Sequence, residues 1–296
     1  MIRFGPAGWS YADWQGVVYP DPQPKGFDPL SHLARYFDTV EVNSTFYRPA
    51  RTDTARRWVR RVAHFPRFAF TAKLWQRFTH QRDTPWSPEE VDQVRAGLDP
   101  LAEAGRLGAV LIQFPWSFKA QERSVEWLDD VVSAFSGYPL VVEVRHASWN
   151  RPEFHRWLDE RGVGFVNIDQ PLFSRSIGPS AQATSRIGYV RLHGRNYDDW
   201  FRQDAGRDAR YDYLYGREEL EPWVDRIREL AGGGMVDDVY VVTNNHFRGQ
   251  AVANAIMLAA MIRKNPQKAP ETLVRSFPEV LAGLVDAEVE EQARLF

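Results

Sequence analysis

Short apolar runs alternate with amphipathic segments from one end of this chain to the other, and that rhythm restricts its fold more than any other feature. The runs are Ile2–Ala7, Thr39–Asn43, Ala69–Lys73, Ala109–Gln113, Leu140–Val144, Gly164–Ile168, Tyr189–His193 and Asp238–Thr243. The helical patterns between them are Leu30–Tyr36, Thr54–Val62, Pro88–Ala104, Glu122–Ala134, Glu153–Glu160, Glu218–Leu230 and Gly249–Ile262. Strand and helix in alternation argue for parallel strands joined by helical crossovers. The runs are nearly continuous in Val, Ile, Leu and Phe, as expected of strands buried on both faces. Between the sixth and seventh runs the helical pattern lapses into a breaker-rich stretch beginning Gly178-Pro179-Ser180. Eight strands predict a (β/α)8 barrel (TIM barrel) of the α/β class, with a doubly wound open sheet as the alternative.

A single domain over residues 1–296 is expected. Barrels of this kind reach that length as one unit, and no linker divides the chain. The Pro-rich stretch Pro20–Pro29 lies too near the start, and Gly232-Gly233-Gly234 reads as a helix-terminating turn. Lys and Arg number 37 against 39 Asp and Glu, a net charge of -2 that supplies no global drive toward nucleic acid or an anionic membrane. The absence of cysteine excludes a disulfide framework, thiolate metal sites and a cysteine nucleophile. The N-terminus lacks a basic region followed by an apolar run, so no signal peptide is expected. The longest apolar stretch, Ala251 to Ile262, is broken by Asn254 and too short to span a bilayer. A cytoplasmic protein is the expectation.

The informative residues are those that end each strand. Glu41 and Asn43 lie two apart, as do Thr71 and Lys73, Leu111 and Gln113, Glu143 and Arg145, Asn167 and Asp169, and Arg191 and His193. Residues at i and i+2 share one face of a strand. A charged pair beneath a helix would lack water or partners. All these pairs are therefore expected to point into the barrel mouth at the C-terminal ends of the strands, where barrel active sites are assembled. A structural reading competes at each position: Glu143 and Arg145 as a buried plug, Asn167 as a satisfied core amide.

Aromatics crowd the segments after the strands: Trp9, Tyr11 and Trp14, then Phe46 and Tyr47, Trp75 and Phe78, Trp116, Trp149, Trp200 with Phe201, and Phe247. Above a polar floor they could stack on a sugar ring or base, or simply seal the barrel end. Trp58, Trp127, Trp157 and Trp223 fall on helical patterns and read as packing residues. The long segment Gly194 to Asp212, with alternating charges, suggests a lid or a solvated loop.

These residues carry a resemblance. Gly8-Trp9-Ser10-Tyr11 with Trp14, Glu41-Val42-Asn43-Ser44-Thr45-Phe46-Tyr47, Phe70-Thr71-Ala72-Lys73 and Gln113-Phe114-Pro115 resemble the DUF72 family of YecE-like proteins. So do Glu143-Val144-Arg145-His146 with Trp149, Arg191-Leu192-His193-Gly194-Arg195, Arg210 to Tyr215, and Asn244-Asn245-His246 with Gly249 and Asn254-Ala255. The resemblance spans nearly the whole chain and implies a TIM barrel shaped like the xylose-isomerase-like barrels. It implies no activity.

Lys73, Arg145 and Arg191 put three cations around the mouth, which suits a phosphate or carboxylate ligand. The chain is thus expected to be a metal-independent enzyme acting on a phosphorylated sugar or nucleotide-like compound by hydrolysis or isomerisation. Glu41, Glu143, His193 and His246 are the candidate acids and bases. Trp9, Asn43, Tyr47, Lys73, Gln113, Arg145, Asn167, Asp169, Arg191, Asn244 and Asn245 are the candidate ligand contacts. No cofactor is expected. Two alternatives stand beside this reading. Glu143, Asp169, His193 and His246 could ligate Zn2+ or Mn2+, against which Arg145 and Arg191 argue by repulsion. A nucleotide or nucleic-acid binder is the other, disfavoured by Asp198, Asp199, Asp204 and Asp208 in the long loop.

Overall fold

In the computed structural model, which describes residues 1–198, 200, 202 and 209–288, the eight expected strands form one parallel sheet. They are β1 (Ile2–Pro6), β2 (Thr39–Val42), β3 (Ala69–Lys73), β4 (Leu107–Gln113), β5 (Leu140–Glu143), β6 (Gly164–Asp169), β7 (Ile187–Leu192) and β8 (Asp238–Thr243). The order β1-β8-β7-β6-β5-β4-β3-β2 runs round a barrel. It closes where Ala7 bridges Glu41 and the Gly8 N–H donates to the Glu41 carbonyl at 2.8 Å. Closure there depends on Gly5: a Cβ at that position would lie 1.8 Å from the Thr39 carbonyl oxygen. Only glycine lets the two backbones approach so closely.

The helices are α1 (Pro29–Ala34), α2 (Ser44–Tyr47), α3 (Thr52–Arg61), α4 (Pro88–Glu103), α5 (Glu122–Ala134), α6 (Pro152–Glu160), α7 (Arg217–Gly232) and α8 (Gln250–Arg263). Two of them start by capping rules. Asp28 accepts from the Ser31 N–H at 2.8 Å with Pro29 opening α1, and Glu90 accepts from the Ser87 N–H at 2.8 Å with Pro88 opening α4. Each satisfies an N–H that the helix leaves without a partner. The apolar stretch at Ala251 becomes α8, buried along residues 251–260 against β1, β8 and α7. Within that buried run Asn254 is 0% exposed and clamps the Tyr215 backbone at both N–H and carbonyl. The C-terminal elements lay outside the sequence pattern: β9 (Gln267–Pro270) and β10 (Val285–Glu288) pair as a small parallel sheet, with α9 (Glu271–Ser276) and α10 (Pro278–Leu281) between them.

Between β6 and β7 a loop replaces the helix, and this decides which way β6 faces. Phe165 packs edge-on to His155 of α6 at 4.9 Å, so Phe165, Asn167 and Asp169 look outward. Val166 and Ile168 fill the lumen instead. The expectation that Asn167 and Asp169 point into the mouth is therefore corrected. Asn167 Oδ1 accepts from the Gln182 N–H and the Ser180 hydroxyl, both at 2.7 Å, and its amide nitrogen donates to the carbonyls of Gln182 and Tyr189. It staples the loop that covers a helix-free strand. Asp169 accepts two bonds from Arg195, at 2.8 and 2.6 Å, and further bonds from the Tyr215 hydroxyl and the Trp223 indole of α7. A carboxylate under a helix does find partners here, because α7 and the preceding segment supply them.

No helix among the described residues is long and apolar enough to cross a membrane.

Candidate functional site

Strands β2, β5 and β7 each contribute a charged residue to the upper lumen, and these meet one another before they meet solvent. Arg191 donates Nη2 to Glu41 Oε1 at 2.7 Å and Nε to Glu41 Oε2 at 3.0 Å, while its Nη1 donates to Glu143 Oε2 at 2.6 Å. The Tyr189 hydroxyl, one layer lower, donates to Glu41 Oε2 at 3.0 Å and lies 2.8 Å from Thr71 Oγ1. Glu143 Oε1 takes Arg145 Nε at 2.9 Å and faces His193 Nε2 at 3.1 Å. Asn244 Nδ2 stands 3.1 Å from His193 Nδ1. These contacts are met together by a neutral His193 that accepts from Asn244 and donates Nε2–H to Glu143. Glu41, Glu143, Arg191 and His193 are each 0% exposed.

Electrostatics follow from that packing. Burial raises the Glu143 carboxyl, but Arg191, His193 and Arg145 together outweigh it and hold the group well below the usual carboxylate range. Burial lowers the His193 imidazole to about 3 against the pull of Glu143, with Arg145 and Arg191 adding to the fall. A carboxylate so stabilised is a poor proton acceptor, and an imidazole held neutral is a poor acid. Glu41, Glu143, Arg191 and His193, expected to act on or bind a ligand directly, instead build the floor on which a ligand would rest.

Above this floor opens a pocket of about 720 Å3, within the range that encloses a small molecule. Of the expected contacts, Trp9, Asn43, Tyr47, Lys73, Gln113, Arg145 and Asn244 line it, and so does His246, a candidate acid or base. Asn245 does not: its amide nitrogen donates to the Tyr213 carbonyl and to Asn254 Oδ1, both at 2.8 Å, so it ties a loop to α8. Of the aromatics, Trp9, Tyr11, Phe46, Tyr47, Trp116 and Trp200 form the walls, whereas Trp14, Phe78 and Trp149 are packed in the core. His246 stacks on Tyr11 with ring centres 4.4 Å apart and contacts the Tyr211 ring at 4.7 Å. Residues 199, 201 and 203–208 of the expected lid lie outside the described residues. The parts on either side of them put Trp200, Arg210 and Tyr211 into the wall.

Three basic side chains face this space: Lys73, Arg145 and Arg210. Arg145 is 16% exposed, with its guanidinium carbon 5.6 Å from the centre of the Trp200 ring. Lys73 ends β3, where the Thr45 hydroxyl pins its carbonyl at 2.7 Å. Its amine lies 4.1 Å from the centre of the Phe46 ring and, among the described residues, has no carboxylate within ion-pair distance. Burial lowers that amine to about 7, with Arg191 next in effect and Glu41 and Glu143 opposing. A ring face returns only about 0.5–2 kcal/mol to an ammonium, too little to offset such burial. His80 was not singled out in the sequence. It reaches the pocket from the turn after β3, edge-on to Phe46 at 4.9 Å, and burial and then Lys73 lower it to about 4. Its only sequence signal is its place seven residues beyond a strand-ending lysine. The four residues named as metal ligands are split, since Asp169 faces outward. Among the described residues no cluster of three or more His, Asp or Glu is arranged to hold a metal ion.

The family described as "Protein of unknown function DUF72" matches residues 3–278. The chain belongs to DUF72. This DUF72 chain is 30% identical over 277 residues to UPF0759 protein YunF of Bacillus subtilis (strain 168), covering 88% of this chain and 95% of that one. UPF0759 protein YecE of Escherichia coli (strain K12) is 28% identical over 176 residues, 57% of this chain and 59% of that protein. Among solved structures, a DUF72 family protein of Thermotoga maritima MSB8 shares 33% identity at a TM-score of 0.76, covering 89% of this chain and 99% of the other. A DUF72 family protein of Enterococcus faecalis V583 matches the fold at a TM-score of 0.76 and 23% identity, over 89% of this chain and 96% of that one.

Proposed function

We propose that this DUF72 protein is a metal-independent enzyme whose mouth pocket takes a small anionic molecule, a phosphorylated sugar or a nucleotide-like compound. One observation carries the reading. Among the described residues that line the pocket there are two guanidinium groups, Arg145 and Arg210, with the Lys73 amine beside them, and no carboxylate. Glu41 and Glu143, the acidic groups that the described residues bring to the upper lumen, lie beneath the floor and are neutralised by Arg191 and Arg145. The exposed surface of the site therefore favours an anion, with arginine suited to grip it through two parallel hydrogen bonds. The aromatic walls suit a ring on the same molecule.

The same arrangement bears on the reaction. Glycoside hydrolysis needs one carboxyl group held protonated near neutral pH, and Glu143 is shifted the other way. Among the described residues, the Lys73 amine and His246 reach the pocket as proton-handling groups, so isomerisation of a carbonyl compound is the better fit of the two expected chemistries.

Titration calorimetry with inorganic phosphate, pyrophosphate and a panel of sugar phosphates tests the binding. Arg145→Ala and Arg210→Ala should each weaken the tightest anion at least tenfold, about 1.4 kcal/mol. A wild-type protein that binds none of them, or two variants with unchanged affinity, removes the proposal.

A further inference from the structure

We propose that Lys73 is a covalent nucleophile: its ε-amine attacks the carbonyl carbon of an anionic aldehyde or ketone held by Arg145 and Arg210, and forms an imine. This rests on the anion-binding reading above and adds a chemistry to it. The geometry that points to it is a primary amine at a barrel strand end, opening into the pocket and facing the ring of Phe46 at 4.1 Å. The carboxylates near enough to hold it as an ammonium are already occupied. Glu41 gives both oxygens to Arg191, and Glu143 shares its own between Arg191 and Arg145. The amine is thus left among arginines without a counter-ion, the setting in which a lysine becomes nucleophilic near neutral pH. The lowering of Lys73 to about 7 agrees with that setting. The other four lysines, Lys25, Lys119, Lys264 and Lys268, are all exposed.

The step balances without an added oxidant or reductant. The nitrogen lone pair forms the C–N bond while the carbonyl π pair moves to oxygen. The nitrogen loses a proton and the oxygen gains one, giving a carbinolamine. The C–O bond then breaks, and the oxygen leaves as water after taking a second proton, which yields the protonated imine. His80 and Lys73 both pack against the Phe46 ring. The protons exchanged between nitrogen and oxygen pass through solvent water at the pocket mouth. An imine at this position would acidify the neighbouring C–H, which joins the proposal to isomerisation.

Pyridoxal 5′-phosphate serves as the probe, because it combines an aldehyde, a ring and a dianion. The full-length protein is incubated with it at pH 7.5, reduced with borohydride and mapped by peptide mass spectrometry, with phosphate affinity measured on the same preparation. The expected result is one reduced adduct on Lys73, suppressed by excess inorganic phosphate and at least tenfold weaker with uncharged pyridoxal. Lys73→Arg should bind phosphate and form no adduct in the pocket. If phosphate binds the wild type but reduction labels only the exposed lysines, the imine is overturned and the anion site stands. If phosphate does not bind and Lys73 is not labelled, both readings fall. If Lys73 is labelled equally by pyridoxal and its phosphate, the nucleophile stands and the anion reading falls.

Discussion

Arg191 grips Glu41 with two parallel hydrogen bonds, 2.7 and 3.0 Å long, between strands on opposite sides of the barrel, and both side chains are fully buried. The same guanidinium holds Glu143 at 2.6 Å. Removing one partner of a buried ion pair leaves a charge with neither water nor counter-ion, at a cost of about 3–5 kcal/mol. Arg191→Met should therefore lower the stability measured by urea unfolding by about that amount. A midpoint within error of wild type would mean that the triad contributes nothing to the fold. This replaces the sequence-based expectation that Arg191 touches a ligand.

Acid should destabilise the protein well before its carboxylates protonate. The His193 imidazole is lowered to about 3 and His80 to about 4, from an ordinary 6.5. Unfolded chains bind these protons more tightly, so stability falls as pH drops below about 6.5 and the loss is complete only near the folded-state values. For His193 the full effect is on the order of a few kcal/mol. In His193→Gln the slope of unfolding free energy between pH 6.5 and 4.5 should shrink. An unchanged slope would show that His193 is not held neutral.

Lys73 should make a mark of the same sign on the alkaline side. Its amine is lowered to about 7 from an ordinary 10.5, so the unfolded chain binds the proton more tightly between those values and wild-type stability rises with pH across that window. Below pH 7 the folded state carries the full penalty of a half-buried ammonium. Lys73→Met should consequently be more stable than wild type at pH 7 by on the order of 1–2 kcal/mol, discounted for solvent at the mouth. The gain should fade by pH 10. A variant less stable at pH 7 would contradict the assignment.

Asp169 should behave as a structural residue. Its carboxylate receives Arg195, Tyr215 and Trp223 on the outer side of β6. Asp169→Ala strands those donors and should cost about 3 kcal/mol in unfolding free energy. Phosphate affinity, measured well below the unfolding temperature, should stay within twofold of wild type. A tenfold loss of affinity without a loss of stability would return Asp169 to the list of ligand contacts.

The reach of the sequence is clearest in particular elements. Ala69–Lys73, Asp238–Thr243 and Glu122–Ala134 have the bounds that their patterns predict, because apolar periodicity and flanking breakers agree there. The spacing of Glu41, Glu143 and Arg191 placed them on the lumen, and they do share it. What spacing cannot supply is the choice between the two faces of a strand. For β6 that choice was made by a loop with no periodicity, whose backbone groups at 182 satisfy Asn167. Nor does a list of charges tell which will pair with one another and which will be left facing solvent. That requires knowing that Arg191 stands level with both glutamates, while Lys73 ends one strand further round. His80 and Arg210 reach the pocket from turns, where side-chain direction has no period to read.

The pairing across the lumen also governs how the chain can be divided. Glu41 and Arg191 are 150 residues apart, one in the first half of the barrel and one in the second. A fragment ending after β4 would hold Glu41 with no arginine to meet it, and a fragment beginning at β5 would hold Arg145 and Arg191 with Glu143 as their single shared carboxylate. Each half would thus bury an unbalanced charge of opposite sign, which neither can do alone. Separately expressed halves should remain unfolded until mixed and then associate, so that the upper lumen acts as the lock by which the two halves recognise each other.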